Sequence, residues 1–234
     1  VISSVNVVDT TAPVITLNGA ASITLEVGVD TYTELGATVS DDGAPTIVEA
    51  TVGGDTVDTT TVGTYVVTYD ANDGYNDAIQ VTRTVTVSDN TAPVITLNGA
   101  ASITLEVGVD TYTELGATVS DDGAPTLVEA TVGGDTVDTT TVGTYVVTYD
   151  ANDGYNDAIQ VTRTVTVSDT IAPVITLNGA ASITLEVGVD TYTELVATVS
   201  DDGLPTLTAA TVGGDTVDTT TVGTYVVTYD ANDG

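Results

Sequence analysis

Gly63-Thr64-Tyr65-Val66-Val67-Thr68-Tyr69-Asp70 recurs unchanged at 143–150 and 223–230. Its side chains alternate. Tyr65, Val67 and Tyr69 fall on one side, Thr64, Thr68 and Asp70 on the other, and Val66 is the one apolar residue on the polar side. A period of two with one apolar face predicts a half-buried β-strand. The first tyrosine follows a glycine at the start of this strand and stands two residues before an expected core position, Val67.

Short strands are expected on both sides of it. Strand A runs over 14–17 and ends at Asn18-Gly19, a hairpin-type turn pair. Strand B covers 22–27 with Ile23, Leu25 and Val27 inward, and strand C covers 32–40 with Leu35, Ala37 and Val39 on one face. Asp41-Asp42-Gly43-Ala44-Pro45 breaks the chain before strand D at 46–52, where Val48, Ala50 and Val52 align. Gly53-Gly54-Asp55 turns into a Thr-rich strand E at 56–60. The quoted stretch is strand F, Asn72-Asp73-Gly74 is the hairpin tip, and strand G runs over 78–88. Ile79, Val81, Val85 and Val87 share its apolar face with Arg83. Seven short strands with regular turn signals and no helical periodicity predict an all-β sandwich. A tyrosine placed like Tyr65 is the tyrosine corner of immunoglobulin-like sandwiches, with Val67 where an antibody domain has its second cysteine.

The whole unit repeats. Residues 11–90 and 91–170 match at all but two of 80 positions, Ile47 against Leu127 and Asn90 against Thr170. The expected domains are 11–90, 91–170 and 171–234, the last without its final strand, preceded by an orphan G-like strand at 1–10. An odd strand count places the start and finish of each unit at opposite poles. The expected fold class is therefore a set of tandem seven-stranded immunoglobulin-like β-sandwiches in an elongated end-to-end array, advancing roughly 35–45 Å per unit. The short linker Ser88-Asp89-Asn90-Thr91-Ala92-Pro93 contains proline and should be semi-rigid.

Charge narrows the partners. Two arginines stand against 34 acidic residues, with no histidine, for a net charge of −32. Nucleic acid is excluded as a partner, and anionic membrane surfaces are repelled. No apolar run is long enough to insert in a membrane. Cations are the expected partners, above all Ca²⁺, which takes carboxylate and carbonyl oxygens. The plainer reading is that the acids only solvate a Thr-rich surface. Cysteine is absent, which excludes disulfides and thiolate metal sites.

The pattern TAPVITL … GTYVVTYDANDG … TRTVTVSD resembles bacterial immunoglobulin-like repeats of the hyalin-repeat kind, also found appended to some pesticidal crystal proteins. The resemblance covers 11–234. It implies an extracellular or cell-surface location and a structural role as spacer, stalk or adhesive array, with no catalytic residues. Hyalin-type repeats often carry a cysteine pair, and this chain departs from them there.

Two arrangements are expected to matter. The first is acidic. Strand order places Asp41, Asp42 and the linker Asp89 at the far pole of the first unit, and Asp110, Asp135, Asp150 and Asp153 at the near pole of the second. Facing one another, these carboxylates form an expected inter-repeat Ca²⁺ site. The second is a spare strand. Val1, Val5 and Val7 overlay Val81, Val85 and Val87. They either complement the third unit of another copy, giving head-to-tail self-assembly, or belong to a window within a longer repeat chain.

Other features carry bland readings. Arg83 and Arg163 are expected to pair with acids at the sandwich rim. Tyr32, Tyr69 and Tyr75 are core or rim residues, or else a sugar-stacking patch. The Thr excess suits strand propensity, with O-glycosylation as an alternative. Unit three differs at Val196 (for Gly36), Leu204, Thr208 and Ala209, and is expected to present a more apolar surface there. Without His, Cys or Lys, only paired carboxylates could do acid–base work, and identical loops every 80 residues suit spacing better than an active site. The expected function is the structural repeat region of an extracellular fibre or stalk. The alternative is an adhesin module binding a glycan or protein multivalently.

Overall fold

The computed structural model describes residues 1–42, 49–122, 129–201 and 209–232. The described chain is all β. The first repeat contains β1 (Val14–Leu17), β2 (Ser22–Glu26), β3 (Ala37–Ser40), β4 (Thr51–Gly54), β5 (Gly63–Asp70) and β6 (Val81–Ser88). β1 and β3 form one sheet; the other has the order β2-β6-β5-β4. The second repeat follows the same plan with β7 (Val94–Leu97), β8 (Ser102–Glu106), β9 (Ala117–Ser120), β10 (Thr131–Gly134), β11 (Gly143–Asp150) and β12 (Val161–Ser168). By compactness the chain divides into two units, 1–96 with 117–131 and 150–160, and 97–116 with 132–149 and 161–234.

The quoted stretch behaves as its alternation requires. It is β5, with Val67 and Tyr69 buried and Asp70 exposed. The Tyr65 hydroxyl donates to the Thr61 carbonyl at 2.9 Å, four residues upstream, so the tyrosine corner is present. Ile15, Val67, Tyr69 and Ala71 form the core, with Leu17, Ala37, Val39 and Val57 packed against it.

Several strands differ from expectation. Asn18-Gly19 is no hairpin: β1 pairs with β3 antiparallel, whereas β2 pairs with β6 in parallel, Ser22 opposite Thr84. Asn18 lies at the level of Arg83 and Ser22 beside Thr84, so β1 and β2 are successive halves of one strand that changes sheets. Strand C shrinks to β3, and Leu35 is exposed because 32–36 leaves the ladder to turn Glu34 inward. Gly53 and Gly54 belong to β4 instead of a turn; a Cβ at Gly54 (φ 83°) would lie 2.3 Å from the Val66 carbonyl oxygen. The stretch expected as strand E makes no ladder. There Asp58 accepts the Thr60 N–H at 2.9 Å and the Thr60 and Thr61 hydroxyls, locking a turn. β6 starts at Val81, which leaves Ile79 exposed. Six strands are described in each full repeat; Gly43-Ala44-Pro45 and the first part of expected strand D lie outside the described residues.

The sheet change has a polar cost, and Arg83 meets it. A strand leaving its sheet strands backbone carbonyls without ladder donors. Arg83 is completely buried, with Nε 3.0 Å from the Ala20 carbonyl and Nη2 2.6 Å from that of Asn18. Its Nη1 donates to Glu34 Oε1 at 2.9 Å, and its guanidinium lies 5.4 Å from the Tyr69 ring centroid. Tyr69 donates its hydroxyl to the same carboxylate oxygen at 2.6 Å, Gly36 donates its N–H, and Tyr32 bonds the other oxygen. Burial opposes charge on Glu34, but these hydrogen bonds and the charge of Arg83 outweigh it and hold the carboxyl below its usual range. Arg163, Glu114, Tyr149 and Tyr112 repeat the arrangement. The arginines thus do pair with acids, as expected, but in the interior and not at the rim.

The third repeat holds β13 (Val174–Leu177), β14 (Ala197–Ser200), β15 (Thr211–Gly214) and β16 (Val227–Asp230). Among the described residues of this repeat, 183–186 form no strand, and Ile183 and Val187 are exposed. Val196 takes φ 59°, where its counterparts Gly36 and Gly116 take 69°. Leu204 and Thr208, expected to mark an apolar surface with Val196 and Ala209, lie outside the described residues.

Candidate cation site

The strand that changes sheets decides which acids meet. Because β1 and β2 do not reverse direction, β3 ends beside the start of β1: Ser40 pairs with Val14. Asp41 therefore lies at the N-terminal pole of its own repeat. There it joins Asp9 of the preceding segment and Asp73 of the β5–β6 turn, their carboxylate oxygens within 4.8 Å of one another. One period later Asp89, Asp121 and Asp153 form the same group.

This corrects the sequence-based set. Asp89 and Asp153 do come together, but Asp41 sits with Asp9 and Asp73 instead, and its counterpart Asp121 takes the expected place. Asp42 belongs to neither group. Asp110, Asp135 and Asp150 have local tasks. Asp110 accepts the Glu106 N–H at 2.7 Å, Asp135 accepts the Val146 N–H at 2.7 Å, and Asp150 accepts from Gln160 at 2.8 Å. Asp110 and Asp135 stand at the far pole because the strand reversal expected at Asn98-Gly99 does not occur, whereas Asp150, at the end of β11, stands at the expected near pole.

The second group is the better enclosed. Asp89 and Asp153 are 7% and 8% exposed. Asp153 Oδ1 accepts the N–H groups of Tyr155 and Asn156 at 2.7 and 2.6 Å. Asn156 Nδ2 in turn donates to Asp89 Oδ1 at 3.2 Å and to the Asp89 and Thr91 carbonyls at 3.3 and 3.2 Å. One oxygen of each carboxylate is thereby fixed. The remaining oxygens, Oδ2 of Asp89 and Asp153 and both of Asp121, are buried and accept no hydrogen bond. Burial first, then the charges of Asp153 and Asp121, push the Asp89 carboxyl above its usual range. For Asp153, burial is outweighed by the Asn156 and Tyr155 backbone N–H groups, which hold it below. Carboxylate oxygens within 4.8 Å of one another repel by about 3 kcal/mol or more per charged pair at an effective dielectric of ~20, a cost that a cation held among them would relieve.

A second acid anchors the linker, unforeseen from sequence. Glu26, at the end of β2, accepts the Asn90 N–H at 2.8 Å and its side-chain amide at 2.9 Å. Glu106 holds Thr170 in the same way, N–H at 2.9 Å, so the exchange of Asn90 for Thr170 preserves the contact. The signal was the pairing of β2 with β6, which no local pattern displays. Asp9 was within reach, since residues 1–10 align with 81–90 and bring Asp9 onto Asp89. Tyr69 lies wholly in the core, whereas Tyr75 is exposed.

The chain matches the family described as bacterial surface protein, Ig-like domain, over residues 15–87, 95–167 and 175–234. The chain belongs to this family, as three Ig-like domains in tandem, and that makes it a repeat region of bacterial surface-protein type. No curated protein matches it. Among solved structures it is similar to a crystal form of the extracellular cadherin domains 1–4 of protocadherin gamma B7, at 14% identity over 95% of this chain and 68% of that one, with a TM-score of 0.29. Among the described residues no helix is long and apolar enough to cross a membrane.

Proposed function

We propose that the chain is a spacer in an extracellular stalk or fibre of a bacterial surface protein, its sandwiches strung end to end and its linkers taking up Ca²⁺. The near-identity of residues 11–90 and 91–170, buried arginine network included, carries this reading. A chain selected for reach repeats one body; a chain selected for one binding event has no need to. Such a role calls for no catalytic group. Small-angle scattering on chains of two, three and four repeats tests it. The maximum dimension should rise by a constant step of roughly 35–45 Å per repeat. A compact particle whose size follows the cube root of mass would overturn it.

Head-to-tail assembly by strand complementation is a second reading, favoured by one feature. Val1, Val5 and Val7 overlay the buried-face positions Val81, Val85 and Val87 of β6 and are themselves exposed. Sedimentation velocity should show concentration-dependent polymers that vanish when residues 1–8 are deleted. Saturable binding of one repeat to a glycan or protein, multiplied in the array, would favour an adhesin instead.

A further inference from the structure

We propose that Asp89, Asp121 and Asp153 hold one calcium ion that ties the linker to the N-terminal pole of the repeat following it, and that Asp9, Asp41 and Asp73 form a like site one period earlier. This deepens the calcium part of the proposed function and rests on that part alone; the spacer role stands or falls on scattering.

Three observations converge on a cation. Asp89 and Asp153 are more than nine-tenths buried, and each keeps one oxygen with no hydrogen-bond donor. Asp121 keeps two. A buried carboxylate oxygen without a donor needs a positive partner. The second observation is that the protein cannot supply one. The chain has two basic side chains, Arg83 and Arg163, and both are committed to Glu34 and Glu114 in the sandwich interiors. Third, the fixed halves of the group are held as a ligand set must be: two backbone N–H groups orient Asp153, and Asn156 orients Asp89 while gripping the linker carbonyls.

Chemistry selects the ion. All-oxygen, triply anionic donors suit a hard divalent cation. Calcium takes oxygens at ~2.4 Å in irregular sets of six to eight, water among them, which suits carboxylates gathered from three separate segments. Magnesium at ~2.1 Å demands a tighter octahedron and gives up its water reluctantly. The three ligands come from the linker, the turn after β9 and the turn after β11, so one ion would bridge the linker to two turns of the repeat that follows it. The linker is already held by Glu26 at Asn90, and the ion would fix its other side.

The test is calorimetric titration of the chelator-treated 234-residue chain with CaCl₂, alongside Asp121→Asn and, as control, the exposed neighbour Asp122→Asn. Asp121→Asn should lose one equivalent of bound calcium, and the calcium-induced rise in melting temperature should shrink. Asp122→Asn should bind like the parent chain. MgCl₂ should bind at least about tenfold more weakly. Circular dichroism of the calcium-free chains establishes that both variants are folded. If calcium produces no saturable heat, or Asp121→Asn binds the same number of ions as the parent, the site is not a calcium site. A melting temperature that rises in Asp121→Asn without any calcium response in the parent would identify a shared proton and likewise overturn the proposal.

Discussion

The guanidinium of Arg83 lies 2.9 Å from Glu34 Oε1, buried between the two sheets where β1 gives way to β2. The pair joins the strand that changes sheets to the segment before β3, so it acts as a polar rivet in a core without Phe, Trp or Met. Arg83→Met would strand the Asn18 and Ala20 carbonyls and leave Glu34 charged beside two tyrosines. Breaking a buried pair costs about 3–5 kcal/mol, and the lower end applies because the Glu34 side chain keeps 29% exposure. Urea denaturation should show one transition moving to lower urea while the others stay. Arg83→Met combined with Glu34→Leu should recover part of the loss, which isolates the stranded charge from the stranded carbonyls.

Tyr65→Phe removes one hydrogen bond, from the Tyr65 hydroxyl to the Thr61 carbonyl, and keeps the ring. The expected loss is about 1 kcal/mol. Tyr69→Phe should cost more, since its hydroxyl serves the charged Glu34 in the interior. The ordering of the two midpoints is the measurement.

Asp89 and Asp153 have opposite pH signatures. Asp89 is raised above 3.8 in the folded chain, so its stabilising contribution is complete below 3.8 and is lost as pH climbs through the raised value. Asp153 is lowered, so its contribution is present above 3.8 and is lost as pH falls further. Glu34 and Glu114, also lowered, contribute in full above 4.5 and lose that contribution as pH falls below it. In chelator, the parent should therefore lose stability relative to Asp89→Asn as pH rises from about 4 towards neutral, where Asp121, Asp153 and Glu26 face an ionised Asp89. Calcium should cancel that difference. Parallel curves for the two proteins in chelator would count against a strained Asp89.

Val196 occupies a left-handed backbone position that its counterparts fill with glycine. A β-branched residue there is strained by about 1–3 kcal/mol. Val196→Gly should raise the melting temperature of the third repeat, and Gly36→Val should lower that of the first. Scanning calorimetry of the two variants checks both signs.

The third repeat should accept a peptide spanning residues 155–170, whose arginine would meet Glu194 as Arg163 meets Glu114. Replacing that arginine by serine, the residue Ser3 supplies in the Val1–Val8 stretch, should weaken binding by about tenfold or more. Fluorescence anisotropy of the labelled peptides reads the ratio. Equal affinities would show that the strand's valines, and not the buried ion pair, govern complementation.

Local chemistry made much of this protein legible in its sequence. Alternation in Gly63–Asp70, the glycine before Tyr65 and the 80-residue period announce a tandem all-β array, because burial of one strand face and closure of a tyrosine corner are decided within a few residues. The absence of lysine and histidine likewise pointed to an external cation, since charge is counted without coordinates. Partnership was not legible. Asn18-Gly19 reads equally well as a hairpin or as a sheet change, and only the pairing of β2 with β6 and the carbonyls taken by Arg83 distinguish them. That one choice sets the direction of β3, and hence the pole at which Asp41 and Asp121 stand. Tertiary structure alone therefore decided which three aspartates meet, because non-local strand pairing, not sequence spacing, brings their carboxylates within reach of one ion.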